Sequence, residues 1–180
     1  MPTDAPLVDA ASRAAWILAP DLTLMQQCEF DRFRGSGPGG QHRNKTESAV
    51  RLRHNPSGIA ASAEERRSQG ENRLRALARL REHLAFDLRA APAEPISARL
   101  AKLIAGGTRP LGEKTKQTPE YLVAMAELLD NFAATGGEVA ATAQRLGVTT
   151  GACSKLLLHD DRVARTVNQL RTSRGLRPLR

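Results

Sequence analysis

The residues best suited to chemistry in this chain form one glycine-rich segment, residues 34–45, which reads Arg-Gly-Ser-Gly-Pro-Gly-Gly-Gln-His-Arg-Asn-Lys. Such a segment cannot build a core or sustain a helix, because glycine is costly to order and proline lacks a donor. It can instead bring bare backbone close to a ligand, with amide groups free to donate hydrogen bonds. The central question is therefore which ligand the segment contacts.

A nucleotide is one candidate ligand, because Gly35, Gly37 and Gly40 match the spacing of the dinucleotide-binding fingerprint. That motif requires a helix that begins within the glycine loop and receives the pyrophosphate at its N-terminus. Here Pro38 lies inside the loop, residues 41–46 have no apolar helical stripe, and a strand pattern comes next. A P-loop is excluded as well, since no Gly-Lys-Ser/Thr occurs at the required spacing. The pattern argues against nucleotide binding.

The segment resembles the glycine-glycine-glutamine (GGQ) loop of class I peptide-chain release factors and of their codon-independent relatives, the ribosome-rescue peptidyl-tRNA hydrolases. The resemblance covers residues 25–90. Beyond the loop it is carried by four stretches: Ser48-Ala49-Val50-Arg51-Leu52, Pro56-Ser57-Gly58-Ile59, Arg66-Arg67-Ser68-Gln69 and Asn72-Arg73.

The resemblance implies that Gly39, Gly40 and Gln41 are the catalytic residues. The substrate would be the ester between a nascent peptide and the terminal ribose of tRNA, in the peptidyl-transferase centre of the large ribosomal subunit. Hydrolysis passes through a tetrahedral oxyanion, which requires a donor already in place, and the backbone N–H of Gln41 would supply it. The glutamine side chain would admit water and exclude larger nucleophiles. The substrate's ribose hydroxyl and ribosomal RNA would also take part.

The residues around the tripeptide are interpreted as contacts to tRNA and ribosomal RNA. Cations that flank the loop can neutralise backbone phosphates. His42 is interpreted as an RNA contact or a structural residue rather than a general base, and the outward arginines of the next strand are either RNA contacts or ordinary solvated charges. The predicted RNA-binding set is Arg34, Ser36, Gly37, Pro38, His42, Arg43, Asn44, Lys45, Arg51 and Arg53.

Composition is consistent with a polyanionic partner, because the net charge is +8 and the sequence pI is about 10.5. Residues 32–120 carry 18 lysines and arginines against 9 acids, so the positive charge is centred on the loop and on the residues C-terminal to it. Cys28 and Cys153 lie far apart, and the four histidines are scattered, so no metal site or cofactor is expected. No signal peptide, transit peptide or membrane span is recognised, so a cytoplasmic location is expected. The protein is also expected to be a monomer.

Periodicity in the first half predicts a helix at residues 8–18 and a half-buried strand at residues 26–33, with Cys28, Phe30 and Phe33 facing inward. Residues 48–54 alternate strictly, with Val50 and Leu52 on one face. Residues 55–58 (Asn-Pro-Ser-Gly) form a turn into a partner strand at residues 59–63. A long helix is predicted at residues 65–88. Its apolar stripe is Leu74, Leu77, Leu84 and Leu88, and Arg75, Arg79 and Glu82 face away.

The second half is predicted to be helical. Residues 96–105 form a short helix before a breaker-rich tract at residues 106–119. Leu122, Met125, Leu129 and Phe132 predict an amphipathic helix that ends at Gly136-Gly137. Residues 138–157 predict a helix-turn-helix, with small Ala143, a turn at Gly147 and core positions at Val148 and Leu156. Its recognition-helix candidates are Thr149, Thr150, Ser154 and Lys155. A last helix spans residues 162–170, and the chain ends with Arg171, Arg174, Arg177 and Arg180.

These patterns predict an α+β fold in which a small sheet with packed helices carries the GGQ loop and precedes a helical, helix-turn-helix-like module. The predicted segments are an N-terminal lead-in (1–24), the catalytic domain (25–90), a linker with a short helix (91–119) and the C-terminal module with its basic tail (120–180). Within these 180 residues no segment resembles a codon-reading tripeptide.

The predicted function is codon-independent, ribosome-dependent hydrolysis of peptidyl-tRNA, which releases nascent chains from stalled ribosomes. Its partners would be the ribosome, peptidyl-tRNA and, by resemblance, a methyltransferase that modifies Gln41. The alternative hypothesis is a ribosome- or RNA-binding regulatory protein that acts through its helical C-terminus without release activity.

Overall fold

The computed structural model describes residues 7–33, 48–107 and 113–180 of the chain. The chain divides into two compact units, a sheet unit (Ala19–Leu84) and a helical unit (Met1–Leu18 with Ala85–Arg180). The predicted α+β class is confirmed, because one three-stranded sheet accompanies the helices. In chain order the elements are α1 (Ala10–Leu18), α2 (Asp21–Gln26), β1 (Cys28–Phe33), β2 (Ala49–His54), β3 (Ala60–Ala63), α3 (Gln69–Phe86), α4 (Ala98–Ala105), α5 (Glu113–Lys116), α6 (Pro119–Ala134), α7 (Val139–Leu146), α8 (Thr150–Leu158) and α9 (Asp161–Ser173).

The sheet is antiparallel in the order β1-β2-β3, so β2 is its central strand. The predicted alternation on β2 is confirmed, since Val50 and Leu52 are buried while Arg51 and Arg53 are exposed. The predicted turn is confirmed too. Its loop is closed by the His54 N–H, which donates to the Ile59 carbonyl at 2.8 Å, and Gly58 supplies the left-handed residue at φ +71°.

Helix α3 and the apolar face of the sheet form the core of the sheet unit. Leu77, Leu80 and Leu84 are buried on α3, and Ala61 and Ala63 are buried on β3. The predicted apolar stripe of this helix is wrong at two residues, Leu74 and Leu88. Leu74 is 56% exposed, because it is two residues from buried Asn72 and therefore lies on nearly the opposite side of the helix. Leu88 is buried, but α3 ends before it, at Phe86.

The predicted strand at residues 26–33 is wrong at its start and in its pattern. Gln26 is the last residue of α2, which begins directly after Pro20 and buries Leu24, so the strand begins only at Cys28. β1 is an edge strand whose four middle residues are exposed. Phe30 is 38% exposed and is covered by the Arg73 guanidinium, 4.4 Å from the ring centroid, rather than by apolar side chains.

The helical unit is built around α6. Every residue from Tyr121 to Phe132 is buried, so the predicted one-sided amphipathic helix is wrong. These residues are buried on all sides of the helix because five other helices contact α6, namely α1, α4, α5, α7 and α9. The helix begins at a Thr118 N-cap, and the chain turns at Gly136 and Gly137, both at positive φ, as their position in the sequence predicts.

Three polar residues of α6 are buried because distant groups satisfy them. Asp130 accepts hydrogen bonds from both terminal nitrogens of Arg13 on α1 and from the Ala90 N–H. Glu127 accepts from the Ser97 N–H and hydroxyl, and so fixes the start of α4. The Asn131 side-chain carbonyl accepts from Arg145 Nε at 2.7 Å. Burial of these groups is tolerated because each is hydrogen-bonded.

The helix-turn-helix prediction is confirmed in geometry. α7 ends at Gly147, whose φ of +67° is the left-handed value that favours glycine, and α8 begins after a Thr149 N-cap. Ala143 and Leu156 are buried, and Val148 is half-buried. The last helix, α9, is three residues longer at its C-terminal end than predicted and is capped by Asp160.

The compact units divide the chain after Leu18 and after Leu84, within α3. Helix α1 groups with the C-terminal helices because Arg13 pairs with Asp130 and α1 contacts α6. Helix α2 groups with the sheet because it contacts β1 and because Arg81 pairs with Asp21 at 2.8 Å. The functional segments at residues 25–90, 91–119 and 120–180 stay a prediction.

Candidate functional site

The glycine-rich segment connects two strands that are neighbours in the sheet. β1 ends at Phe33, β2 begins at Ala49, and these two residues are register partners. The chain therefore leaves and rejoins the sheet at one end, which we call the loop end. All predicted catalytic residues (Gly39, Gly40, Gln41) and eight predicted RNA contacts (Arg34, Ser36, Gly37, Pro38, His42, Arg43, Asn44, Lys45) lie outside the described residues. The structure describes the base on which this segment is mounted.

The base of the segment is tied to the first turn of α3 by a buried asparagine. Asn72 Nδ2 donates to the carbonyl oxygens of Ser48 at 2.7 Å and Arg66 at 2.8 Å. Its side-chain oxygen accepts from the Arg66 N–H at 2.9 Å. The sequence indicates Asn72 only as part of a family-like stretch. Its partners are separated from it by 24 and 6 residues and could not be predicted from local spacing.

The two arginines predicted to contact RNA on β2 project from the polar face of the sheet. The Arg51 side chain is 55% exposed, lies 4.0 Å from the Asp31 carboxylate, and has its guanidinium 5.2 Å from the Phe33 ring centroid. Arg53 is exposed on the same face, opposite Glu29. Arg51 thus stands beside the end of β1 and Arg53 two residues further from the loop end. An ion pair this long and exposed is weak, so Arg51 can accept another anion.

Further cations surround the loop end. Arg32 is opposite Val50, near the last register pair, and Arg66 and Arg67 lie in the connection that Asn72 holds. All three side chains are exposed, and none forms an ion pair with another residue that the structure describes. Arg66 is held by Asn72 through its backbone, whereas its side chain is exposed. The loop end is therefore a cationic surface suited to phosphates.

His54 lies at the opposite end of the sheet, where it supports the hairpin turn. It is fully buried, with Nδ1 2.7 Å from Ser57 Oγ and Nε2 3.2 Å from Gln27 Oε1. Because Gln27 Oε1 can only accept, Nε2 carries the proton, and Nδ1 accepts from the Ser57 hydroxyl. Burial lowers the pKa of His54 below its usual range. The geometry indicates a neutral structural histidine.

The free energy of unfolding should therefore depend on the protonation of His54. A depressed pKa means that the unfolded state binds the proton more tightly, so His54 contributes stability above pH 6.5, which is lost as pH falls below that value. We expect His54→Gln to flatten the change in melting temperature between pH 7.5 and pH 5.5. Thermal unfolding of both proteins across this range measures the effect, and parallel pH profiles would contradict it.

Other chemistry has little basis among the described residues. They contain no cluster of histidine, cysteine and carboxylate side chains that could hold a metal ion. Burial raises the pKa of the Cys153 thiol to about 11 and also raises that of Cys28, so neither of these thiols is a ready nucleophile at neutral pH. No helix in the described part of the chain is long and apolar enough to cross a membrane.

The C-terminal basic stretch is folded back onto α9. The Asn168 side chain donates to the Leu179 carbonyl at 3.3 Å and accepts from the Leu179 N–H at 2.7 Å. Arg171 donates to the carbonyls of Arg177 and Gly137. Arg171 therefore has a structural role, while Arg174, Arg177 and Arg180 remain exposed. The helix-turn-helix candidates Thr149, Thr150 and Lys155 are exposed, and Ser154 is half-buried.

Comparison with known proteins identifies the class to which this architecture belongs. Residues 23–120 match the family model described as the RF-1 domain, which is more than half of the chain. The protein therefore belongs to the RF-1 domain family, and the resemblance seen in the sequence is confirmed.

Two curated relatives show what this domain is similar to. A peptide chain release factor 1 from Acidiphilium cryptum is 44% identical over 91 residues, which are 51% of this chain and 26% of the relative. A peptide chain release factor 2 from Paramagnetospirillum magneticum is 53% identical over 58 residues, which are 32% of this chain and 16% of the relative. The chain thus spans at most about a quarter of the length of these relatives.

Proposed function

We propose that this protein releases nascent peptides from ribosomes by hydrolysing the ester of peptidyl-tRNA, and that it does so without reading a codon. The observation that carries the first part is Gly39-Gly40-Gln41, which lies within the matched RF-1 domain and is mounted between paired strands at a cationic end of the sheet. Both relatives named above are peptide chain release factors.

The proposed reaction needs little acid–base chemistry from the protein itself. Water adds to the ester carbonyl carbon, and the bond to the ribose oxygen breaks. One proton of the water passes to the ribose oxygen and the other is released to solvent, so that the peptide leaves as a carboxylate. The N–H of Gln41 would donate to the oxyanion that forms on the carbonyl oxygen. His54 is not proposed as a general base, because it is buried, hydrogen-bonded to Ser57 and located at the other end of the sheet. Arg51 and Arg53 would contact RNA phosphates.

Support for the codon-independent form comes from the elements that this chain joins to the RF-1 domain. The residues after the matched region belong to helices α6 to α9, with a helix-turn-helix and a basic stretch that the structure places on α9. We propose that the helical unit docks on the ribosome in the cytoplasm, with the protein acting as a monomer.

The test is peptide release from purified ribosomes that carry labelled peptidyl-tRNA on a truncated mRNA. We expect release that depends on the ribosome, so that free peptidyl-tRNA of the same sequence is hydrolysed far more slowly. Binding to the ribosome without any release would contradict the proposal. It would favour the alternative of an RNA-binding regulatory protein, which the exposed α8 face and the exposed arginines of the C-terminal stretch could serve.

A further inference from the structure

We propose that Asn72 is a positioning residue for peptide release, whose buried amide fixes the point where the glycine-rich segment rejoins the sheet. The proposal rests on the proposed function, since it assigns Asn72 a part in that reaction through the residues that it holds. Asn72 is fully buried in the first turn of α3. It is therefore not itself a candidate to contact RNA or substrate.

Both ends of the Asn72 amide are matched to their surroundings. Both hydrogens of Nδ2 are used, one on the Ser48 carbonyl and one on the Arg66 carbonyl, and the side-chain oxygen accepts from the Arg66 N–H. The partners settle the orientation of the amide, because the reverse orientation would place its oxygen against two carbonyl oxygens. A carboxylate at this position would meet the same two oxygens and be repelled.

The hydrogen bonds of Asn72 lie where the glycine-rich segment rejoins the sheet. Ser48 is the residue before Ala49, which forms the last register pair with Phe33 at the loop end of the sheet. Arg66 lies between β3 and α3 and carries one of the cations of that end. One side chain thus ties two backbone segments to the start of a helix whose apolar face packs on the sheet. Because α3 is anchored by Leu77, Leu80 and Leu84, it provides a rigid reference for both.

A rigid base matters for a reaction in which the protein contributes position more than acid–base chemistry. Misplacement of a reacting geometry by about 1 Å can cost roughly 100-fold in rate. Loss of the Asn72 bonds would free the Ser48 carbonyl, and with it the point where the segment rejoins the sheet. The binding surface formed by exposed arginines would persist. The expected signature is therefore a fall in kcat with little change in KM.

The experiment compares Asn72→Asp with a matched buried asparagine in the full-length protein. Asn131 on α6 is equally buried and also bonds through both ends of its amide, to the Glu127 carbonyl and to Arg145, but it belongs to the helical unit. For Asn72→Asp we expect kcat for release from stalled ribosomes to fall roughly 10- to 100-fold, with KM within about threefold of wild type. Asn131→Asp should leave both constants near wild type at temperatures below its unfolding transition.

Each outcome decides the proposal. Wild-type kcat in folded Asn72→Asp, or equal losses in the Asn72 and Asn131 variants at matched melting temperatures, would overturn the positioning role. If Asn72→Asp does not fold, Asn72→Ser keeps one donor in a smaller volume and should fold with reduced kcat; full kcat in folded Asn72→Ser would equally overturn the proposal. A wild-type protein that binds stalled ribosomes but releases no peptide would instead contradict the proposed function, and the inference with it.

Discussion

Replacement of either loop glycine by alanine should nearly abolish peptide release. Gly39→Ala and Gly40→Ala each add a side-chain carbon where backbone is proposed to approach the tRNA ester, and this carbon would prevent the close approach that glycine allows. Displacement of a single oxyanion donor costs about 100- to 1,000-fold in kcat, so a loss of that size is expected. Single-turnover release of labelled peptide measures it, and cosedimentation should show ribosome binding close to wild type.

A glycine elsewhere provides the control for this result. Gly106 directly succeeds α4 with an ordinary right-handed backbone, and an added Cβ would meet only the Lys102 carbonyl at 3.4 Å and the Leu103 carbonyl at 3.5 Å. Gly106→Ala should therefore release peptide at the wild-type rate. Undiminished release by Gly39→Ala or Gly40→Ala would contradict the assignment of catalysis to this loop.

Removal of the Asp130 carboxylate should produce the largest loss of stability. Asp130 is 2% exposed and faces two buried guanidinium groups, with Arg13 bound in two places and Arg89 Nη1 at 3.6 Å. Burial lowers the pKa of Arg89 to about 10, so it remains charged at neutral pH. Asp130→Ala would leave two buried cations without their anion, which typically costs about 3–5 kcal/mol. Urea unfolding measures the difference.

Such a loss is a large part of the total stability of a domain, which is about 5–15 kcal/mol. The matched control is Glu120→Gln, which removes an exposed carboxylate from the first turn of the same helix and should cost well under about 1 kcal/mol. A free energy of unfolding for Asp130→Ala within about 1 kcal/mol of wild type would show that the cluster does not hold α1 against α6.

The elements that can be predicted from sequence are those in which local chemistry and tertiary structure agree. β2 is predictable because Val50 and Leu52 alternate with arginines, and the structure buries the first pair and exposes the second. Gly58 and Gly147 are predicted at turns, and both take the positive φ that favours glycine. At these positions the local preference of the residue and its place in the fold agree, so the spacing of residue types in the sequence is enough to predict the strand and the turns.

Predictions fail where the partner of a residue lies far away in the sequence. Asp130 lies outside the predicted apolar stripe of α6, but Arg13, 117 residues earlier, satisfies it in the interior. Phe30 is expected to face inward, yet Arg73 covers it on an edge strand. The candidate site also has one part that sequence predicts and one that it does not. Residue types alone indicate the glycine loop, whereas the role of Asn72 depends on its hydrogen bond to the Ser48 carbonyl, 24 residues away.

The measurement that tests the central claim most directly is the rate of peptide release on three kinds of ribosome complex. One carries a truncated mRNA, one a stop codon and one a sense codon with mRNA continuing downstream. A codon-independent release activity predicts rapid release on the truncated mRNA, with no further acceleration by a stop codon. Release that requires a stop codon would contradict the codon-independent form, and absence of release from all three would contradict peptide release itself.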